Sequence, residues 1–180
     1  MEFRTYAMPD LEVRSAAGKR LLCGIVVPYS VDQDIDGRLV ERFTPGTFAH
    51  QYRAASRVRL LSLHSNVPGH VQLGTAVDLH DDPAGLWGEF RVADSQWGDH
   101  YIALAREGML RQWSVGFTPE RSRRDGRVTV HTRANMFETA LVPEGAYGEL
   151  AAIAAVRSAQ LPKLTRDTLL AKLPAPHFPA

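Results

Sequence analysis

The chain has 180 residues, 44% of them hydrophobic and 23% charged, with a formal net charge of +1 at pH 7. That length suits one domain with its own core, and the near-neutral balance says little about partners, while nucleic-acid binding needs a larger electrostatic footprint. Cys23 is the only cysteine, which excludes an intrachain disulfide scaffold and a thiolate metal cluster.

The opening MEFRTYAMPDLEVR alternates polar and apolar residues and lacks the apolar core of a signal peptide. No run approaches the roughly 18 apolar residues of a membrane span, so the chain reads as soluble and intracellular, with no membrane or nucleic-acid partner. KRLLCGIVVPY is apolar and rich in β-branched residues, which predicts a strand ending at Pro28. VDQDIDGRLVERF reads as a loop or hairpin turning at Asp36-Gly37. After Pro45-Gly46, residues 46 to 55 fit a short helix capped near Thr44 or Thr47. Val58 to His64 reads as a buried strand, followed by the turn SNVPGH.

VQLGTAVDLHDD alternates as a further strand, broken by Asp81-Asp82-Pro83. In LWGEFRV, Leu86, Gly88 and Phe90 share one face, and Trp87, Glu89 and Arg91 the other. From Asp94 the period becomes helical: Ser95 supplies a cap, Trp97, Tyr101, Leu104 and Ala105 recur at helical spacing, and Gly108 ends the helix. Residues 111 to 118 return to strand, and RVTVHTR with FETALVP reads as a hairpin or two sheet strands. Arg121, Arg123, Arg124 and Arg127 cluster around Asp125-Gly126, which suits a solvated turn between strands. Residues 148 to 158 are Ala-rich and helix-compatible, and LPKLTRDTLLAKLPAPHFPA reads as a Pro-rich tail.

Ser114 stands in the apolar run QWSVGF, His64 at the end of VRLLSLH, and Glu138 within MFETALV. A serine hydroxyl becomes a nucleophile when a base takes its proton, and imidazole titrates near neutral pH. A carboxylate fixes the imidazole tautomer and stabilises its charged form. Spacing alone leaves open whether the three meet or serve as ordinary core and surface groups. His64, His70 and His80 match no compact zinc motif, so no metal or cofactor is expected. The default role of Trp87, Phe90, Trp97, Tyr101, Trp113 and Phe117 is packing, with lining a substrate groove as the other role.

Several segments, taken in order, resemble the prohead maturation protease family of tailed bacteriophages, related in fold to herpesvirus assemblin. They are GIVVPYSV at 24–31, ERFTPGTFAH at 41–50, VRLLSLHSNVPGHVQLGTA at 58–76, DPAGLWGEFRV, REGMLRQWSVGF, and FETALVPEGAYGELAAI at 137–153. The likeness spans most of residues 20 to 156. It implies a β-rich α+β fold, an assemblin-like barrel or strongly curved sheet with flanking helices. Residues 1–160 would form the protease domain, and 161–180 a tail used for targeting or removed by self-processing.

By the same resemblance His64 is the general base, Ser114 the nucleophile and Glu138 the orienting acid of a serine endopeptidase. Its substrates would be scaffolding-protein or major-capsid-protein extensions, cut within the procapsid in the host cytoplasm, and the enzyme would act as a homodimer or higher oligomer. The alternative is a catalytically inactive relative serving capsid assembly or scaffold binding. Two positions depart from the family pattern. Ser65 stands where Asp often follows the histidine, and Glu138-Thr139-Ala140 lacks the usual serine. Glu144 is the competing carboxylate, Gly116 a candidate for close backbone approach, and Arg106, Arg111 and Arg133 candidate polar supports. An oxyanion site made of backbone N–H groups leaves no side-chain signature.

Overall fold

The computed structural model describes residues 2–6, 20–35, 39–142 and 155–157. Its strands are β1 (Glu2–Tyr6), β2 (Leu21–Pro28), β3 (Gln33–Asp34), β4 (Val40–Phe43), β5 (Arg59–Leu61), β6 (Gln72–Asp82), β7 (Gly85–Val92), β8 (Gln112–Asp125), β9 (Val128–Val142) and β10 (Ala155–Arg157). A 3-10 helix, Ala49–Arg57, precedes β5, and α1, Gln96–Arg106, precedes β8. The strands join in one mixed sheet in the order β1-β8-β9-β5-β6-β7-β2-β10, with β4 pairing both β3 and β9. The sheet curls strongly, close to a half-barrel, with the two helices flanking it, as the assemblin-like expectation required.

Alternation decides which face is sealed. On β8, Trp113, Val115 and Phe117 are fully buried in the core, joined there by Leu22, Phe43, Phe48, Leu60, Leu73, Leu79 and Phe90. Phe43 meets Phe117 edge-on with ring centroids 5.1 Å apart, and Phe90 lies 5.2 Å from Trp113. Burying each such side chain contributes about 1.5–3 kcal/mol, which fixes the register of β8 and sends Ser114 to the opposite face.

β9 organises the rest. Its one edge pairs with β8 throughout, while its other edge takes β4 in parallel at Val128–His131 and β5 in parallel at Glu138–Ala140. Val128–Val142 is therefore one continuous strand that runs through both RVTVHTR and FETALVP. The arginine-rich segment also differs from expectation: Arg121, Arg123 and Arg124 lie within β8, and the turn is only Gly126-Arg127, with Gly126 at φ 59. A glycine at the first turn position provides the positive φ that a tight hairpin needs.

The expected strand at 58–64 contracts to Arg59–Leu61, because Ser62 turns away and its hydroxyl accepts a hydrogen bond from Val71 N–H at 2.8 Å. The helix expected at 46–55 is a 3-10 helix with non-helical φ/ψ at Ala54, and Phe48 caps it without a side-chain bond. The Thr47 hydroxyl instead has its one O–H within reach of two carbonyls, Thr44 at 2.7 Å and His131 at 3.0 Å, tying this loop to β9. His50 lies near the start of that helix and bonds Asn135 at 2.9 Å.

α1 forms as expected, with Ser95 Oγ accepting from Gly98 N–H at 3.1 Å. Its buried positions are Gly98 and Ile102, however, while Trp97 is exposed. β3 and β4 make the expected hairpin arms, with Ile35 N–H donating to Leu39 O at 2.8 Å, and the Asp36-Gly37 turn lies outside the described residues. Ala155–Arg157 is a strand on the edge of β2, not helix; pairing overrides the helical preference of an Ala-rich stretch. Residues 143–154 and the Pro-rich tail lie outside the described residues.

Candidate active site

The sheet brings together the three side chains singled out in the sequence. Ser114 sits near the start of β8, two residues along from Gln112. Glu138 lies on β9 opposite Gly116 and beside Arg59 of β5. His64 follows β5 in the turn opened by Ser62, so a short strand and a bend, not a longer strand, deliver the imidazole. His64 Nε2 is 2.6 Å from Ser114 Oγ, and His64 Nδ1 is 3.0 Å from Glu138 Oε1.

These contacts assign the protons. An ionised carboxylate only accepts, so Nδ1 carries the hydrogen and donates it to Glu138. Nε2 is then left with a lone pair for the Ser114 hydroxyl. Burial pushes the His64 pKa below its ordinary value of 6.5, and the Glu138 carboxylate opposes this more weakly. The imidazole is therefore neutral at pH 7, the state a general base needs.

Glu138 is fully buried, and both of its oxygens are used. Oε1 also accepts from Ser65 N–H at 2.9 Å, and Oε2 accepts from Arg59 Nη2 at 3.1 Å. A buried carboxylate needs such partners to stay charged. Gly116 makes room for it: a Cβ there would stand 2.7 Å from Glu138 Cγ and 2.7 Å from the Phe137 ring. The Thr139 hydroxyl donates to the Ser114 carbonyl at 3.1 Å, bracing the Ser114 strand from β9. Leu63 and Val67, on either side of His64 in sequence, are exposed.

Comparison with known families returns a match over residues 10–164 to the model described as caudovirus prohead serine protease. The chain belongs to that family. Searches of curated proteins and of solved structures return no match. A prohead protease is a serine peptidase of capsid maturation, and peptide-bond hydrolysis is the activity this family membership brings.

Against the family pattern, Ser65 replaces the frequent Asp after the histidine, yet its contact with Glu138 is through main-chain N–H and does not depend on the side chain. Arg59 escaped the sequence reading; its signal is only a cation in strand alternation with Leu61, before any pairing with β9 is known. Of the three arginines proposed as supports, two bond groups outside the trio and the third is described by its place in the fold. Arg133 pairs with Glu120 at 2.6 Å, Arg111 Nε bonds the Gly108 carbonyl, and Arg106 ends α1. Glu144 lies outside the described residues. Among the other histidines, His70 is an exposed turn residue bonding Val67 O at 3.1 Å, and His80 pairs with Asp78 at 2.6 Å. Of the aromatics, Trp113, Phe90 and Phe117 are core, and Trp97 is exposed.

A cleft of about 690 Å³, lined by residues including Arg20, Gln72, Thr75, Val77, Glu89 and Arg91, opens one strand beyond Arg59, which pairs with Thr75. Directly paired residues share a sheet face, so this cleft lies on the Glu138 side of the sheet. None of the Ser114–His64–Glu138 trio lines it.

Proposed function

We propose that Ser114, His64 and Glu138 are nucleophile, general base and orienting acid of an endopeptidase that trims scaffold or capsid-protein extensions during procapsid maturation. The observation that carries this reading is the 2.6 Å approach of Ser114 Oγ to His64 Nε2, with Glu138 at 3.0 Å from the other ring nitrogen. As Oγ attacks the scissile carbonyl carbon, its proton passes to Nε2, and the resulting imidazolium is stabilised by Glu138. Collapse of the tetrahedral species breaks the C–N bond, and Nε2 returns the proton to the departing amine. Water, deprotonated at the same nitrogen, then hydrolyses the acyl-enzyme.

The reading places this work inside the procapsid in the host cytoplasm, where confinement keeps substrate concentration high and favours self-association of the protease into a dimer or larger oligomer. Residues 1–160 act as the protease domain and 161–180 as a targeting or self-processed tail. Pairing of β1 with β8 and of β10 with β2 supports a unit reaching from the first strand to Arg157.

Coexpression with the neighbouring capsid or scaffold protein tests the proposal. Wild-type chain should shorten the partner, with the new terminus located by mass spectrometry, while Ser114→Ala should leave it intact. Equal processing by both forms would remove Ser114 from the chemistry. No processing by either would favour an assembly-only role.

A further inference from the structure

The arginine cluster of β8 takes no part in the site, yet it lies on the same strand as Ser114. β1 covers the outer edge of β8 only at Trp113–Phe117. From Thr118 to Asp125, no strand among the described residues pairs with that edge. A bare strand edge presents backbone N–H and C=O groups that accept an added strand.

The side chains on this segment are unbalanced. Its acids are already engaged, Glu120 with Arg133 at 2.6 Å and Asp125 with Arg42 at 3.3 Å. Arg121, Arg123 and Arg124 are exposed and make no salt bridge among the described residues, and Arg127 closes the hairpin beside them. Residues 118–135 contain no Phe, Tyr or Trp, so the stacking platform that single-stranded nucleic acid uses is missing. Charge complementarity selects an acidic polypeptide.

We propose that the outer edge of β8 from Thr118 to Asp125 is an exosite that takes an extended acidic segment of the substrate protein by strand addition. This deepens the protease reading and rests on it. Thr118 is four residues from Ser114, about 13 Å along the strand. The docked segment therefore lies outside the residues being cut, and raises their local concentration at the nucleophile.

The test uses the full chain as Ser114→Ala, so that binding is read without turnover. The probe is a fluorescent alternating Glu-Thr peptide of about eight residues, followed by anisotropy at about 0.1 M salt. The expected result is saturable binding that weakens with salt, slows amide exchange across residues 118–125, and falls about tenfold or more in the Arg121→Gln, Arg123→Gln, Arg124→Gln triple variant. With Ser114 restored, that triple variant should hydrolyse a small peptide ester at the wild-type rate while processing the protein substrate more slowly.

Absence of peptide binding, binding indifferent to the three substitutions, or exchange slowing confined to other residues would overturn the exosite. Tighter binding of a thymidine oligonucleotide of similar length, with the same arginine dependence, would overturn the acidic polypeptide as occupant. Loss of ester hydrolysis in the wild type would instead remove the protease reading, leaving the binding result to stand by itself.

Discussion

The β8–β9 hairpin carries two serine–histidine–glutamate clusters, and comparing them separates residue type from function. At one end, Ser114 Oγ meets His64 Nε2 at 2.6 Å and Glu138 holds Nδ1 at 3.0 Å. Further along, Ser122 Oγ meets His131 Nδ1 at 2.9 Å while Glu41 lies 3.3 Å from Nε2. Glu2 completes a second-cluster group whose ligand-type atoms lie within 4.8 Å of one another. The imidazole is reversed between the two, and so is its access. The His64 side chain is 15% exposed. His131 is 4% exposed and packed against the Phe43 and Phe117 rings, with centroids 4.8 Å and 5.5 Å away. The serines run the other way, since Ser114 is 3% exposed and Ser122 is exposed, so the two clusters differ in how the imidazole is oriented and packed. The proposed catalytic role goes with the first cluster, whose Nε2 faces the serine and Nδ1 the carboxylate, and the second holds its imidazole in the core.

Substitutions should break that contrast at graded depths. Glu138→Gln keeps the shape but loses the acceptor that fixes the Nδ1–H tautomer, so kcat should fall roughly 10²–10⁴-fold with little change in KM. Steady-state kinetics on a peptide carrying the mapped cleavage site checks this. A fall below about threefold would mean that Glu138 is merely structural. Gly116→Ala forces a methyl against Glu138 and Phe137 and should cost about 1–3 kcal/mol of stability, together with roughly tenfold or more in kcat. An unchanged melting curve and rate would show that the strand yields freely there.

Arg59→Gln addresses charge more gently. Without the guanidinium, the Glu138 carboxylate acts on the imidazole uncompensated, and the His64 pKa rises. Because the reaction needs neutral imidazole, wild-type kcat/KM should persist below pH 6.5 and fall as pH drops through the lowered His64 value. The acid limb of Arg59→Gln should sit at higher pH, and Arg59→Lys should bring it back toward wild type. Coincident profiles would leave Arg59 without a part in tuning the base. His131→Ala, in the second cluster, should act on stability and not on rate. It should lower the melting temperature by removing a buried hydrogen-bonded ring, at about 1–3 kcal/mol, and leave kcat/KM of the folded protein within about twofold.

Much of this was legible in the chain because alternation and caps are local signals. The strand at Leu21–Pro28, the faces of β7 and the Ser95 cap of α1 all follow from residues within a few positions of one another. Ser114, His64 and Glu138 were visible as chemical types, and the ordered family segments linked them. What stayed hidden is set by distant pairing. The parallel alignment of β5 with β9 puts Arg59 beside Glu138 across 79 residues, and the Gly116 vacancy acquires meaning only when Glu138 fills it. Trp97 misled because helical spacing marks a stripe without saying which side the sheet will cover. The second cluster was missed for the same reason, since Ser122 and His131 become neighbours only when the arginine-rich turn is read as strand.

The most direct measurement is covalent labelling of the full chain with a fluorophosphonate in an assembly-competent mixture, with the adduct located by mass spectrometry. The adduct should form on Ser114, become slower as pH falls through the His64 titration, and vanish in His64→Ala. Labelling of Ser114 that is indifferent to His64, or an adduct found on Ser122 instead, would contradict the assignment of the first cluster as the site of catalysis.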